Sequence, residues 1–540
     1  MMIDRIIAIA PPPLSRLLRH HCTSPKETQR PSFPSHSPDC PTFSPDAQSN
    51  IYSSHLSTLY PRPLPLPRRY LFFPSFSSPF FSSRDSRSSF PQEHDDSIAS
   101  DLFQTILRDE AVSRLHQLGQ VSDANGYLER TFMSPASMKA ALLIQDWMKD
   151  AGLHTWMDAM GNVHGRADGA NPQAKKILIG SHYDTVIDAG KFDGLLGIIV
   201  AISALKVLNT NGTLDKLRQP VEVIAFSDEE GVRFQTTYLG SAAVSGTLPV
   251  SVLNNTDKNN VTVIDALKSN SIEISEERLR EIKYDAESVS SYIEVHIEQG
   301  PVLEYLGLPL GVVKGIAGQT RLKVTVRGTQ GHAGTVPMKL RQDPMAAAAE
   351  IIVFLERLCK FPKQMLSYDE ECDRRKMESL ESSLVCTVGE IVTWPSASNV
   401  IPGEVRFTVD LRAMEDAGRE EVLYGLMNRM SEICDERSVA CDVERKHDAN
   451  AVECDGEVTG KLRKAATGAL RGMTGVPVED VPVMASGAGH DAMAMARITN
   501  VGMLFVRCRA GVSHSPAEHV LDDDVWAAAL ALLSFLRTLL

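Results

Sequence analysis

The chain has 540 residues, 55 Lys and Arg against 68 Asp and Glu, a formal net charge of −13 and 43% apolar residues. That length exceeds a single core, so two or more domains are expected, and the composition is that of a globular protein. The acidic balance argues against a nucleic-acid partner, since binding phosphate needs a basic face. No apolar run reaches the ~20 residues of a membrane-spanning helix.

Residues 1–95 differ from the rest. They hold 16 of the 30 prolines, many serines and an excess of basic residues. Such a segment cannot bury enough apolar surface to fold by itself. It reads as a targeting presequence or extension, with "RRYLFFPSFSSPFFSS" (68–83) as an apolar region behind an arginine pair. Nine scattered cysteines (22, 40, 359, 372, 386, 434, 441, 454 and 508) form no CxxC pair. Mostly free buried thiols are therefore expected, with neither a zinc–thiolate nor a redox motif.

From about residue 98, helix and strand patterns alternate. "ASMKAALLIQDWMKDAG" (136–152) is an amphipathic helix ending at a glycine. "AKKILIGSHYDTV" (174–186) and "QPVEVIAFSDEEG" (219–231) are strands bracketing a core helix at 194–208. That βαβ spacing implies a mostly parallel sheet covered by helices. Strand 321–328, helix 343–359, strands 382–394 and 403–412, helix 417–434 and strand 439–448 follow. The order βαββαβ is that of a ferredoxin-like sandwich. The α/β pattern then returns and closes on a packing helix at 525–540. The expected division is 1–95, then an α/β domain made of 96–313 and 450–540, interrupted by a smaller domain at 314–449.

Candidate chemistry gathers at strand ends. "GSHYDTV" puts His182 and Asp184 on one face of a strand, where Asp184 can accept the second ring N–H of a metal-bound His182. "GKFDGLLG" places Asp193 between a glycine turn and the core helix, a position that is an N-cap by default. "IAFSDEEGVRF" sets Glu229 and Glu230 side by side after an apolar strand. Adjacent carboxylates repel, and a cation between such groups accounts for them. "EVHIEQG" adds His296 at another strand end, and "GVSHSPAEHV" adds His514 before Ser515, Pro516 and Glu518, a capping-box pattern. In open α/β sheets, ligands bind beyond the carboxyl ends of the strands, where these residues converge.

These stretches, with "GHAGTVPM" and "SASNVIPG", resemble the M20 family of dinuclear metallohydrolases, and within it the amidohydrolase branch that acts on ureido compounds. The resemblance covers residues from about 98 to 540. It implies a discontinuous metallopeptidase-like α/β catalytic domain with an inserted ferredoxin-like lid and dimerisation domain. It implies two divalent metal ions bridged by Asp193, with His182 and His296 completing one site and Glu230 and His514 the other. Glu229 is then the general base. Nitrogen and oxygen donors suit Zn, Mn or Co, and the resemblance favours Mn. It further implies a homodimer, with His332 of one subunit donating to the oxyanion in the other. By the same resemblance, Asn399 and Arg412 would hold the substrate carboxylate and the neighbouring amide, and Gln299, Gly489 and His490 would line the pocket. "SGAGHDAMAMA" (486–496) would aim helix-start N–H groups at an anion. The substrate is a small ureido acid, and several such acids share every motif quoted. A catalytically dead binding protein is the reading from another class, and retention of Glu229 and all five ligands speaks against it. The resemblance implies the endoplasmic reticulum as the location, with residues 1–95 as the address and plastid or cytoplasm as alternatives.

Overall fold

The computed structural model describes residues 101–366, 374–474 and 479–540. The presequence reading, Cys22, Cys40 and Cys372 lie outside the described residues. The first strands are β1 (His154–Met157), β2 (Val163–Ala167), β3 (Lys176–His182), β4 (Val221–Phe226), β5 (Val289–Ile297) and β6 (Leu310–Ile316). The chain then passes through β7 (Gly318–Arg327), β8 (Gly331–His332), β9 (Val385–Thr387), β10 (Ile391–Trp394), β11 (Val400–Ile401), β12 (Glu404–Ala413) and β13 (Ala440–Ala449). It returns through β14 (Val452–Glu453), β15 (Val483–Ser486) and β16 (Val501–Val506).

The large sheet runs β1-β2-β4-β3-β5-β16-β6-β14, with β15 against β6. Its centre, β4-β3-β5-β16, is parallel as expected. Its flanks include antiparallel pairs, β1 with β2, β2 with β4 and β16 with β6. The tight turn from β1 to β2 leaves no room for a crossover, and short connections join antiparallel neighbours. Between β3 and β4 the chain crosses over through helix Leu195–Thr210, of which thirteen of sixteen residues are buried. A helix apolar on every side is a core element, and here it lies between the sheet and helix Asp522–Arg537. Helix Pro135–Asp150 starts as its sequence specifies, with Pro at its first turn and the Ser134 hydroxyl accepting the Ser137 N–H. Among the described residues no helix is long and apolar enough to cross a membrane.

The second sheet is antiparallel throughout, in the order β10-β12-β7-β13, with β9 also on β12. Helices Pro344–Lys360 and Asp416–Glu436 pack on it over a separate core that includes Val324, Phe407 and Leu426. The strand expected over 382–394 is divided. Its first residues finish helix Arg374–Ser383, and β9 and β10 are separated at Glu390, whose N–H bonds the Thr408 hydroxyl at 3.1 Å.

The cysteine reading is corrected here. Cys359 is bonded to Cys386 and Cys434 to Cys441, each with Cα atoms 6.2 Å apart. The fold brings the end of one helix over β9, and a short turn returns the other helix into β13. Cys454 and Cys508 are the free cysteines among the described residues.

Side chains alternate along a strand, so register decides what this sheet presents. Arg412 stands opposite Gln319, and Asp410 opposite Arg321. On the other side of β7, β13 sets His447 opposite Arg321. One face of the sheet therefore carries a polar patch.

Candidate active site

β4, β3 and β5 are adjacent and parallel, so their carboxyl ends share one edge. His182 ends β3, His296 sits one residue before the end of β5, and Glu229 and Glu230 follow β4. Asp193 arrives at the same edge because Gly194, at φ +67°, turns the chain into the core helix.

Asp193 is the hub. Its Oδ1 lies 3.0 Å from His296 Nε2 and 3.6 Å from His182 Nε2. Its Oδ2 lies 3.2 Å from His514 Nε2, which is 3.1 Å from Glu230 Oε1. The groups His182–Asp193–His296 and Asp193–Glu230–His514 each fit one metal ion. Both groups share Asp193, and a third group within the same reach is His182–Glu229–Glu230. Burial raises the Asp193 carboxyl, but His182, His296 and His514 outweigh it and hold the group well below the usual carboxylate range.

The donor atoms fit a cation. The Nδ1 of His296 faces the Ile297 carbonyl at 2.9 Å and must carry the proton there. When the ring is neutral its Nε2 is then a lone pair, 3.0 Å from Asp193 Oδ1, an oxygen that is buried without a hydrogen bond. Two lone pairs directed at one space are a metal-ligand arrangement, with the backbone carbonyl fixing the tautomer.

Asp184 does more than expected. Its backbone carbonyl is 3.3 Å from His182 Nδ1 and its Oδ1 is 3.5 Å away. The carboxylate oxygens themselves accept the N–H groups of Glu229 at 2.9 Å and Glu230 at 3.2 Å. Asp184 thus meets His182 through its backbone carbonyl and anchors the glutamate pair through its carboxylate. Glu229 lines the cavity, its carboxyl raised well above the usual range first by burial and then by the charge of Glu230.

Glu518 is a second correction. No helix starts at Ser515; the helix begins at Asp522. The Glu518 carboxylate instead accepts the N–H groups of Phe192 and Asp193 at 2.8 and 3.1 Å, and its other oxygen meets the Ser513 hydroxyl at 3.1 Å. Ser513 and Gln299 reach Asp193 Oδ2 at 2.9 and 3.0 Å. Gln299 and His514 both hold left-handed backbone, at φ +56° and +54°. Such conformations are strained in residues other than glycine and persist where the surroundings impose them.

A cavity of about 550 Å³ opens on the candidate metal ligands. Gln299, Gly489 and Arg412 line it as expected; His490, His332 and Asn399 do not. His490 is buried beneath His296, ring centroids 4.5 Å apart, with Nε2 2.8 Å from the Ser486 hydroxyl. Burial, then the charge of His296, keeps it well below its ordinary pKa. His332 and Asn399 are exposed on a separate ribbon where β8 pairs β11 and the Ala333 N–H meets the Asn399 carbonyl at 2.9 Å. The helix start at Asp491 is also spent inside the protein, since the Ala492 N–H donates to buried Glu294 at 2.9 Å. Arg412 grips Asp410 with two nitrogens, at 2.9 and 3.1 Å, and donates to the Gly487 carbonyl at 2.8 Å. Arg321, which shares Asp410 at 3.1 Å, and Lys446 make the wall more cationic than one arginine would. Strand alternation around "VDLR" was the signal that could have found Arg321; nothing local pointed to Lys446 or Tyr238.

Residues 178–538 match the family described as Peptidase family M20/M25/M40. The chain belongs to this family. Among M20 relatives, Allantoate deiminase 2 of Glycine max is 66% identical over 439 residues, covering 81% of this chain and 91% of that protein. The allantoate deiminase of Arabidopsis thaliana is 66% identical over 438 residues, covering 81% and 83%. The crystal structure of AtUAH in complex with glyoxylate superposes with a TM-score of 0.64 at 31% identity, covering 80% of this chain and 97% of that one. The M20 fold, read from the motifs, is therefore that of this chain.

Proposed function

We propose that the chain is an allantoate deiminase, a metal-dependent hydrolase that cleaves a ureido C–N bond of allantoate. The products are ammonia, CO2 and ureidoglycine. The observation that carries the chemistry is the convergence of five ligands, Glu229 and Arg412 on one cavity. The same convergence opposes a catalytically dead protein. The substrate is supported by the similarity to the deiminases of soybean and Arabidopsis. Hydrolases of ureidoglycolate, ureidoglycine or N-carbamoyl amino acids, β-ureidopropionate included, are the alternative. Ammonia release by the purified protein with Mn, against a panel of these ureido acids, decides among them. A clear preference for another member of the panel would replace allantoate.

His182, Asp193 and His296 would hold one ion, and Asp193, Glu230 and His514 the other. Mn is the proposed metal, and Zn or Co fits the same donors. Bound cations supply Lewis acidity to the ureido carbonyl and the attacking water. Arg412 sets the substrate carboxylate at a fixed distance from the ligands, and its planar fork suits that anion. Glu229 takes a proton from the water and delivers it to the terminal nitrogen, which leaves as ammonia. The carbamate that remains loses CO2.

The active form is proposed to be a homodimer, with the five-stranded sheet and its helices acting as a lid. His332 and Asn399 share one ribbon outside the cavity, so a partner that supplies one supplies both. Subunits inactivated by His332→Ala and subunits inactivated by Glu229→Gln should regain part of the activity when mixed. Absence of recovery after verified subunit exchange would assign His332 to its own subunit's site.

The proposed location is the endoplasmic reticulum, with residues 1–95 as address. Disulfides persist in oxidising compartments, and the bonds Cys359–Cys386 and Cys434–Cys441 support that environment. A reporter carrying residues 1–95 is expected in the reticulum, and plastid or cytosolic signal would refute the address.

A further inference from the structure

Allantoate carries a carboxylate and two ureido arms. The ligands account for one arm and Arg412 for the carboxylate, which leaves the second arm to the other groups on the cavity wall. Tyr238 lines the same cavity. Its hydroxyl meets the Met493 sulfur at 3.9 Å, and no stronger partner appears among the described residues. A thioether is a weak acceptor, so the hydroxyl of this half-buried tyrosine is left free to donate into the cavity.

The phenol is held there by its backbone. Tyr238 is left-handed, at φ +64° and ψ +28°, directly before helix Leu239–Ser245. Its N–H donates to the Glu229 carbonyl at 3.0 Å, and the Leu239 N–H to the Asp228 carbonyl at 2.8 Å. The segment that carries the base thus also aims the phenol. Gly489 makes room for it: a Cβ at that position would overlap the Tyr238 oxygen and lie 3.3 Å from its Cζ. Burial first, and then the charge of Glu229, raise the phenol well above its ordinary pKa, so it remains a neutral O–H donor.

We infer that Tyr238 is a specificity-determining residue whose hydroxyl donates to the carbonyl of the ureido arm that is not cleaved, selecting two-armed ureido acids over one-armed ones. This rests on the allantoate reading above. A site built to hydrogen-bond a substrate group rejects the analogue lacking it, because its own polar group is left unpaired. Arg412 reads the carboxylate that both classes share, so it does not make this distinction.

The test compares allantoate with N-carbamoylglycine, which has the carboxylate and one arm. Wild type should prefer allantoate. Tyr238→Phe should lower kcat/KM for allantoate about 10- to 100-fold, the cost of one unpaired hydrogen bond, and leave N-carbamoylglycine within about twofold. If N-carbamoylglycine is not turned over, its inhibition constant is read in place of kcat/KM. Equal losses on both compounds would give Tyr238 a role in the shared chemistry or in folding, and would overturn the inference, as would no loss on either. A wild type inert toward allantoate would sink the substrate reading and this inference with it. A wild type active on allantoate, with its selectivity unchanged in Tyr238→Phe, would sink the inference alone. Gly489→Ala supplies an independent measure. It should cost a similar factor in wild type by displacing the hydroxyl, and much less in the Tyr238→Phe background, since the two changes remove one contact. Fully additive losses would contradict the inference.

Discussion

Glu229→Gln should lower turnover about 10²- to 10⁴-fold, the usual contribution of a general base, while the protein retains its metal. The amide has the shape of the carboxylate but accepts no proton. Glu230→Gln should instead release metal, because Glu230 Oε1 stands 3.1 Å from His514 Nε2 within the group formed with Asp193. The geometry also offers a competing arrangement, since His182, Glu229 and Glu230 lie close enough to hold one ion together. The two variants separate these cases. Metal analysis that finds Glu229→Gln empty and Glu230→Gln loaded would exchange the roles of the pair. Asp184 holds the N–H groups of both glutamates, so the pair shares one backbone anchor. Glu229 faces the cavity with its carboxyl raised by burial and by the charge of Glu230, as suits a group that must take up a proton.

Much of this site was legible because it is built from strand ends. His182, Glu229, Glu230 and His296 each follow or close an apolar run, and three adjacent parallel strands bring such positions to one edge. Asp193 was legible as a helix-start residue, and its place in two candidate ligand groups was suggested only by the family resemblance. The inserted βαββαβ unit was readable from alternation, though β9 and β10 read as one strand because the interruption at Glu390 is made by a bond to Thr408 on another strand. Contacts set by distant segments were not legible. Glu518 looks like a capping residue in its own sequence, yet it serves Asp193, more than 300 positions away. The partners of Cys359 and Cys434 depend on where helices meet strands, which spacing does not reveal. His490 and Gly489 are neighbours in one motif, but only the glycine reaches the cavity, while the histidine is turned beneath His296.

Gly194→Ala is expected to disable the His182–Asp193–His296 site although it changes no ligand. Gly194 lies at φ +67° and ψ −53°, a conformation that side-chain-bearing residues rarely adopt. A Cβ there would overlap the His182 carbonyl and lie 2.6 Å from both Cε1 and Nδ1 of the ring. Neither group can yield cheaply. The carbonyl closes β3, and the ring is held between Asp184 and Asp193. Relief must come from rotating His182 out of the ligand set or from moving Asp193, the residue before the glycine. Both outcomes pull apart the His182–Asp193–His296 group that could hold an ion. Displacing a catalytic group by about 1 Å can cost on the order of 10²-fold, and loss of an ion would cost more. Backbone strain alone would destabilise the fold by roughly 1–2 kcal/mol. Gly212 separates the two effects. It has a similar φ of +62°, but a Cβ there meets nothing within 4 Å. Gly212→Ala should therefore lower the melting temperature while keeping full metal content and turnover, and Gly194→Ala should lose both. If Gly194→Ala binds metal and turns over like Gly212→Ala, the His182 ring has room that this packing denies it. The glycine would then serve only the turn into the core helix.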